Sequence, residues 1–120
     1  MKQVKFFIGL QSFCLISFAA RSQDFSSTNP NLVKVLGDTL NAKLLLFTIP
    51  PGVTTSVHTH PSSIIYALEG GTIKVEYANG KIETITLTTG QSIQAPPEPP
   101  HKTTNIGKTT VKTIEVEISQ

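Results

Sequence analysis

Three histidines are the residues of this 120-residue sequence with the clearest capacity for chemistry. His58 and His60 are separated by one residue, in a segment whose composition is typical of a β-strand. Residues i and i+2 of a strand face the same side, ~7 Å apart. Two imidazoles so placed can converge on one metal ion with bonds of ~2.0–2.1 Å. The alternative interpretation is that His58, His60 and the distant His101 are unrelated surface residues.

The histidines lie in two stretches, 52–71 and 90–105, that resemble the paired motifs of the cupin superfamily. The positions that match the family's residue types and spacing are Gly52, His58, His60, Gly71, Gly90, Pro96, His101 and Asn105. The resemblance implies an all-β fold, namely a double-stranded β-helix (jelly-roll) cupin barrel. It also implies that His58, His60 and His101 are its metal ligands.

The first motif departs from the family pattern at its carboxylate ligand. The family has a Glu after the histidine pair, whereas this sequence has Ile64, or Ser63 or Ile65 if the spacing slips by one residue. None of the three is an acid. We therefore expect Gln94 or a water molecule to complete the coordination shell, and a weaker metal affinity than a four-ligand site has.

The second motif departs from the pattern at its glycine, which is replaced by Glu98 followed by Pro99. Glycine readily adopts a positive φ, whereas a residue before proline is restricted to extended conformations. The backbone that presents His101 is therefore predicted to differ from the usual one.

Three neutral imidazoles suit one divalent first-row transition metal, and Fe, Mn, Ni, Cu and Zn are all candidates. Three protein ligands leave coordination positions open for water, oxygen or a small-molecule substrate. Cupins with only histidine ligands are known among oxygenases, so the resemblance implies a dioxygenase-like enzyme acting on a small organic compound. A non-catalytic cupin that binds a metal or a small ligand is the alternative, and a structural barrel with a decayed site is the third hypothesis.

The first 22 residues have the pattern of a secretory signal peptide. Lys2 and Lys5 precede the apolar run 6–20, and small residues before Gln23 are typical of a cleavage site. An uncleaved anchor is the alternative, although the run is shorter than the ~20 apolar residues of a membrane span. We expect residues 1–22 to be a signal peptide, 23–30 an exposed leader and 31–120 the cupin domain. The protein would then be secreted or periplasmic, with no membrane association after cleavage.

Charge and cysteine content exclude several classes of function. Loss of Lys2, Lys5 and Arg21 with the signal peptide leaves seven basic and eight acidic residues, a net charge of about −1. No basic cluster remains, so nucleic acid is not an expected partner. The only cysteine, Cys14, lies in the predicted signal peptide, so the remaining chain has neither disulfides nor a thiolate nucleophile.

The rest of the sequence consists of short alternating or β-branched runs separated by Gly and Pro, which predicts a sandwich or small barrel. Asn79-Gly80 predicts a type I′ hairpin turn. In the last run, Ile114, Val116 and Ile118 are expected to face inward, with Glu115 and Glu117 in solvent. A domain of this size gains a sufficient core by closing the barrel or by forming a homodimer.

Overall fold

The computed structural model describes residues 24–119, which form one short helix and nine strands. The elements are α1 (Phe25–Thr28), β1 (Val33–Thr39), β2 (Ala42–Ile49), β3 (His58–His60), β4 (Ser63–Glu69), β5 (Gly71–Tyr77), β6 (Ile82–Leu87), β7 (Ser92–Ala95), β8 (Glu98–Asn105) and β9 (Val111–Ile118).

The strands form two antiparallel sheets. The larger sheet has the order β1-β2-β9-β4-β7, and the smaller has the order β3-β8-β5-β6. Side chains from both sheets line one central cavity, so the inner faces oppose each other as in a jelly-roll barrel. The prediction of an all-β double-stranded β-helix is confirmed.

Strand β2 shows how the sequence builds the barrel wall. Its side chains alternate, and Leu45, Phe47 and Ile49 are buried on the inner face. The predicted bounds of this strand, 42–49, match the structure. Pro50 ends the strand because proline cannot donate a ladder hydrogen bond.

Strand β9 has the opposite orientation to the one its sequence predicts. Glu115 and Glu117 are only 4% and 3% exposed, whereas Ile114 and Val116 lie on the outer face. Cross-strand partners share a face, and Glu115 is paired with the fully buried Leu45 of β2. The prediction that both acids face solvent is therefore wrong, because alternation defines two faces without specifying which is inside.

The prediction of a type I′ turn at Asn79-Gly80 is wrong, and positive φ at two successive residues occurs at another hairpin. Type I′ geometry needs positive φ at both central residues, and among the described non-glycine residues only Leu40 and Asn41 have positive φ, at 55° and 59°. They join β1 to β2. At the predicted type I′ site, Gly80 has φ 92° but Asn79 has no positive φ, so that turn is of another type.

The predicted signal peptide, residues 1–22, lies outside the described residues, and export therefore stays a prediction. Within 24–119, no helix combines the length and the apolar character that crossing a membrane requires.

The outer face of the larger sheet is unusually apolar. On β4, Ile64, Tyr66 and Leu68 are 40–45% exposed, so this strand is covered on one face only. Their neighbours across the sheet include Val116 and Ile114 of β9. Contiguous exposed apolar surface of this kind often marks a contact between proteins.

We expect this outer face to pack against a second copy of the chain, since two apolar sheet faces can form a symmetric interface. Ile64→Lys should then lower the solution mass to that of a monomer in size-exclusion chromatography with light scattering. Ile82→Lys is the matched control, because Ile82 is 60% exposed on the other sheet. A wild-type monomer, or an unchanged mass for Ile64→Lys, would contradict the homodimer.

Candidate metal centre

The three histidines converge on the inner face of the smaller sheet. His58 lies directly opposite His101 where β3 pairs with β8. One ring nitrogen of each histidine lies within 4.8 Å of the others, and the three rings are 4.4–5.3 Å apart between centroids. His58 and His101 are almost fully buried. The sequence-predicted ligands are thus brought together as a group that could hold a metal ion.

Each histidine has its Nδ1 atom held by a fixed partner. His58 Nδ1 donates to the Ser56 carbonyl oxygen at 2.7 Å, and His101 Nδ1 donates to the Pro99 carbonyl oxygen at 2.7 Å. His60 Nδ1 lies 2.9 Å from a carboxylate oxygen of Glu117. Metal-bound histidines usually donate their second N–H in this way, which fixes the tautomer and the ring orientation. The arrangement leaves the three Nε2 atoms as the nitrogens able to bind an ion.

Burial keeps two of these imidazoles neutral. Removal from water lowers the pKa of His58 to about 3, despite its hydrogen bond to the Ser56 carbonyl. Burial likewise lowers the pKa of His101. A neutral imidazole offers a lone pair to a metal, whereas a protonated one cannot. The His58 imidazole therefore stays available well below the ordinary histidine range, and lowering of the His101 pKa acts in the same direction.

The carboxylates of Glu115 and Glu117 surround His60. Burial lowers the pKa of this imidazole, but the Glu117 hydrogen bond and the charges of Glu115, Glu117 and Glu98 outweigh it and raise the pKa overall. Burial also raises the pKa of Glu115 itself, to about 7. The sequence analysis did not predict that Glu115 and Glu117 lie beside the histidines. The only available signal was that both acids fall on the same face of the strand as Val111, which is also buried.

The residues aligned with the family's Glu, and Gln94, are divided by strand alternation between the inner and outer faces of the sheet. Ser63 and Ile65 point into the barrel, whereas Ile64 is 44% exposed on the outer face. Gln94 pairs with Ile64 and is exposed as well, so its proposed role as a ligand is wrong. The buried Ser63 hydroxyl has no hydrogen bond of ordinary length among the described residues, although it is near enough to Glu115 to lower the pKa of that carboxyl.

Glu98 is a third acid near the histidines, and it lies on the same strand as His101. It lies opposite His60 in the β3–β8 pair and lines the cavity, with its side chain 32% exposed. Its Oε2 is 3.4 Å from His101 Nε2. The residue that replaces the motif's glycine is therefore placed at the centre.

The histidines form one polar end of a cavity of about 150 Å³ between the sheets. The remaining wall is mainly apolar, and its residues include Phe47, Ile49, Ile65, Ile73, Val75, Ile85, Leu87 and Ile93. A cavity of about this size accommodates a molecule like benzene. The site can therefore hold an ion beside a small, largely apolar compound.

Comparison with known proteins agrees with this geometry. Residues 45–117 match the family model described as "Cupin domain". The chain belongs to the cupin family. No curated protein matches it.

Solved cupin structures share the fold. A cupin domain from Bordetella pertussis is 27% identical, with a TM-score of 0.68, over 74% of this chain and 93% of that one. A cupin superfamily protein from Desulfitobacterium hafniense is 16% identical, with a TM-score of 0.56, over 74% of this cupin and 77% of its own chain. A cupin-2 domain protein from Shewanella frigidimarina is 19% identical, with a TM-score of 0.51, over 85% of this chain and 88% of its own chain.

The segment before the first strand also contributes to the centre of this cupin. The Phe25 ring stacks on His58, 4.0 Å between centroids and 12° from parallel. Asn29 accepts a hydrogen bond from the Ser56 backbone N–H at 2.8 Å, and Ser56 in turn orients His58. Both Phe25 and Asn29 are buried, so the prediction that this stretch is an exposed leader is wrong at these positions.

The other motif residues shape the backbone. Gly52 and Gly90 have φ of 79° and 86°, which glycine adopts at little cost. Asn105 is fully buried, and its Nδ2 donates to the Ile49 and Thr109 carbonyl oxygens at 2.8 Å. These bonds tie the end of β2 to the turn before β9.

We predict that His58 makes the stability of the metal-free protein depend on pH. Below pH 6.5 the unfolded chain binds a proton that folded His58, with a pKa of about 3, does not accept. Stability that is present above pH 6.5 is therefore lost as the pH falls towards 3, by about 1.4 kcal/mol per pH unit. His58→Asn, which does not titrate but can still donate to the Ser56 carbonyl, should lack this loss.

Urea unfolding of both proteins at pH 7, 6, 5 and 4 measures the difference. Glu115, with its pKa raised from 4.5 to about 7, acts in the opposite direction, because the folded state binds its proton more tightly. That contribution is present in both proteins and cancels in the comparison. Equal losses of stability would mean that His58 is not held neutral.

Proposed function

We propose that this cupin binds one divalent first-row transition metal through His58, His60 and His101, next to a pocket for a small organic molecule. The observation that carries the proposal is the convergence of three histidines whose Nδ1 atoms are already engaged. A buried structural imidazole would also have its N–H hydrogen-bonded, but here the bonds leave the Nε2 atoms of three grouped rings available, which pre-orients them as ligands.

The donor set narrows the choice of metal. Imidazole nitrogen suits Fe, Mn, Ni, Cu and Zn better than it suits the oxygen-seeking Mg²⁺ or Ca²⁺. A bound ion of this class supplies Lewis acidity and, for the redox-active members, chemistry with oxygen. The protein supplies orientation through Ser56, Pro99 and Glu117, and a water-poor surrounding through Phe25.

The pocket defines the class of organic ligand. An apolar or aromatic body of about the size of benzene fits the wall formed by residues such as Ile65 and Ile93. A polar head group would lie at the histidine end, where Ser63 and Glu115 offer hydrogen-bonding atoms. A small oxygenated aromatic compound meets both requirements.

Metal analysis of untagged protein tests the proposal. We expect wild type to retain close to one equivalent of metal after dialysis, and His58→Ala, His60→Ala and His101→Ala each to lose most of it. Gln94→Ala is the control, since Gln94 faces outward and should leave the metal content unchanged. Wild-type metal content in all three histidine variants would overturn the proposal.

An oxygenase-type activity is the candidate enzymatic function, and the observation that favours it is the acid beside the centre. The raised pKa of Glu115, about 7, allows this carboxyl to hold or release a proton at neutral pH next to the pocket. Oxygen uptake by iron-loaded protein with small phenols and diols tests it. Saturable binding of such compounds without oxygen uptake would favour the alternative, a non-catalytic metal- or small-ligand-binding cupin.

We also propose export to the periplasm or the exterior, on the basis of the pattern of residues 1–22. Amino-terminal sequencing of the protein from its native cell compartment tests this. We expect a chain that begins near Gln23, only two residues before Phe25.

A further inference from the structure

A β-bulge brings Glu98 and His101 to the same side of β8. His58 pairs with His101 and His60 pairs with Glu98, so the single residue between the histidines on β3 is matched by two residues on β8. Residues three apart in a regular strand face opposite sides, and an extra residue in a bulge removes that alternation. Pro99 and Pro100 form the irregular part, and both Glu98 and His101 line the cavity.

The gap between Glu98 and His101 is occupied by two hydrogen-bond acceptors that face each other. His101 donates its Nδ1 proton to the Pro99 carbonyl, which leaves Nε2 with a lone pair in the neutral ring. Glu98 Oε2 lies 3.4 Å from that nitrogen, and an ionised carboxylate is also only an acceptor. Two lone pairs that face each other in this way repel unless a cation lies between them, and that cation is either a proton on the imidazole or a metal ion.

The separation of the two atoms suits a shared metal ion. Two ligands of a tetrahedral ion with bonds of ~2.0–2.2 Å are about 3.3–3.6 Å apart. The distance between Glu98 Oε2 and His101 Nε2, 3.4 Å, lies in that range. Glu98 also lies opposite His60 in the β3–β8 pair and its charge acts on the His60 ring, although its carboxyl group is not within 4.8 Å of all three histidines.

The other acids around the centre face a different atom. Glu115 and Glu117 approach Nδ1 of His60, at 3.4 Å and 2.9 Å. A carboxylate on Nδ1 supports a histidine whose Nε2 binds the ion, so these two acids act through His60. Among the described residues, only Glu98 has a carboxylate within ion-pair distance of a histidine Nε2.

We propose that Glu98 is the fourth protein ligand of the metal, in place of the carboxylate missing from the first motif. The inference rests on the proposed function, because it assumes a metal held by the three histidines. Both departures from the motifs then have one explanation: the acid absent near Ile64 on β4 is supplied from β8 in the opposite sheet, at the position of the lost glycine. The centre would then offer three imidazole nitrogens and one carboxylate oxygen to the metal.

Cobalt(II) titration of the metal-free protein without its signal peptide tests the assignment, because the visible spectrum of Co²⁺ reports its ligands. We expect Glu98→Gln to weaken Co²⁺ binding by at least roughly tenfold, with a changed spectrum. Glu98→His restores a ligand of another type. It should recover much of the affinity and give a spectrum that differs from those of both wild type and Glu98→Gln. Glu83→Gln is the matched control, because Glu83 pairs with Lys81 on the outer surface.

The outcomes separate the two proposals. Absence of Co²⁺ binding by wild type would overturn the proposed function, and with it the role of Glu98. Binding by wild type together with an unchanged affinity and spectrum in Glu98→Gln would overturn the role of Glu98 alone. Circular dichroism of each variant shows that it is folded. Weaker binding without any recovery in Glu98→His, and with an unchanged spectrum, would assign Glu98 a structural role and contradict the inference.

Discussion

The pairing of β3 with β8 is the contact on which the centre depends. It is short, with two matched residue pairs, yet it holds every histidine of the chain. Its bulge at Pro99 and Pro100 sets the inward direction of both Glu98 and His101. Proline suits this place because it cannot donate a ladder hydrogen bond and fixes φ. The carbonyl of Pro99 then orients the His101 ring.

Placing charge inside a small barrel has an energetic cost that the surrounding groups reduce. Buried ionisable groups are stable only when they are neutral, paired or bound to a metal. His58 is neutral at ordinary pH, His60 is paired with Glu117, and Glu115 has a pKa raised to about 7. The core is consequently divided into a polar end around the histidines and an apolar body, which is typical of a binding pocket.

The inversion of β9 connects the centre to the outside of the molecule. Because Glu115 and Glu117 occupy the inner face, Ile114 and Val116 must occupy the outer one. Together with Ile64 and the other outward residues of β4, they make the outer sheet face apolar. The same alternation that delivers carboxylates to His60 thus produces a surface suited to a protein contact.

The sequence by itself determined the fold family and the three histidines, because motif spacing and strand alternation are local properties of a chain. It also specified β2 at 42–49, because there the local sequence pattern and the burial in the folded barrel agree. Only the tertiary structure decided which face of β9 is inside, because pairing with Leu45 and Ile65 overrides the apolar pattern. It likewise decided that Phe25 covers His58 and that Glu98 lies beside His101. These contacts join residues from different elements, and the bulge that aligns Glu98 exists only where β8 meets β3.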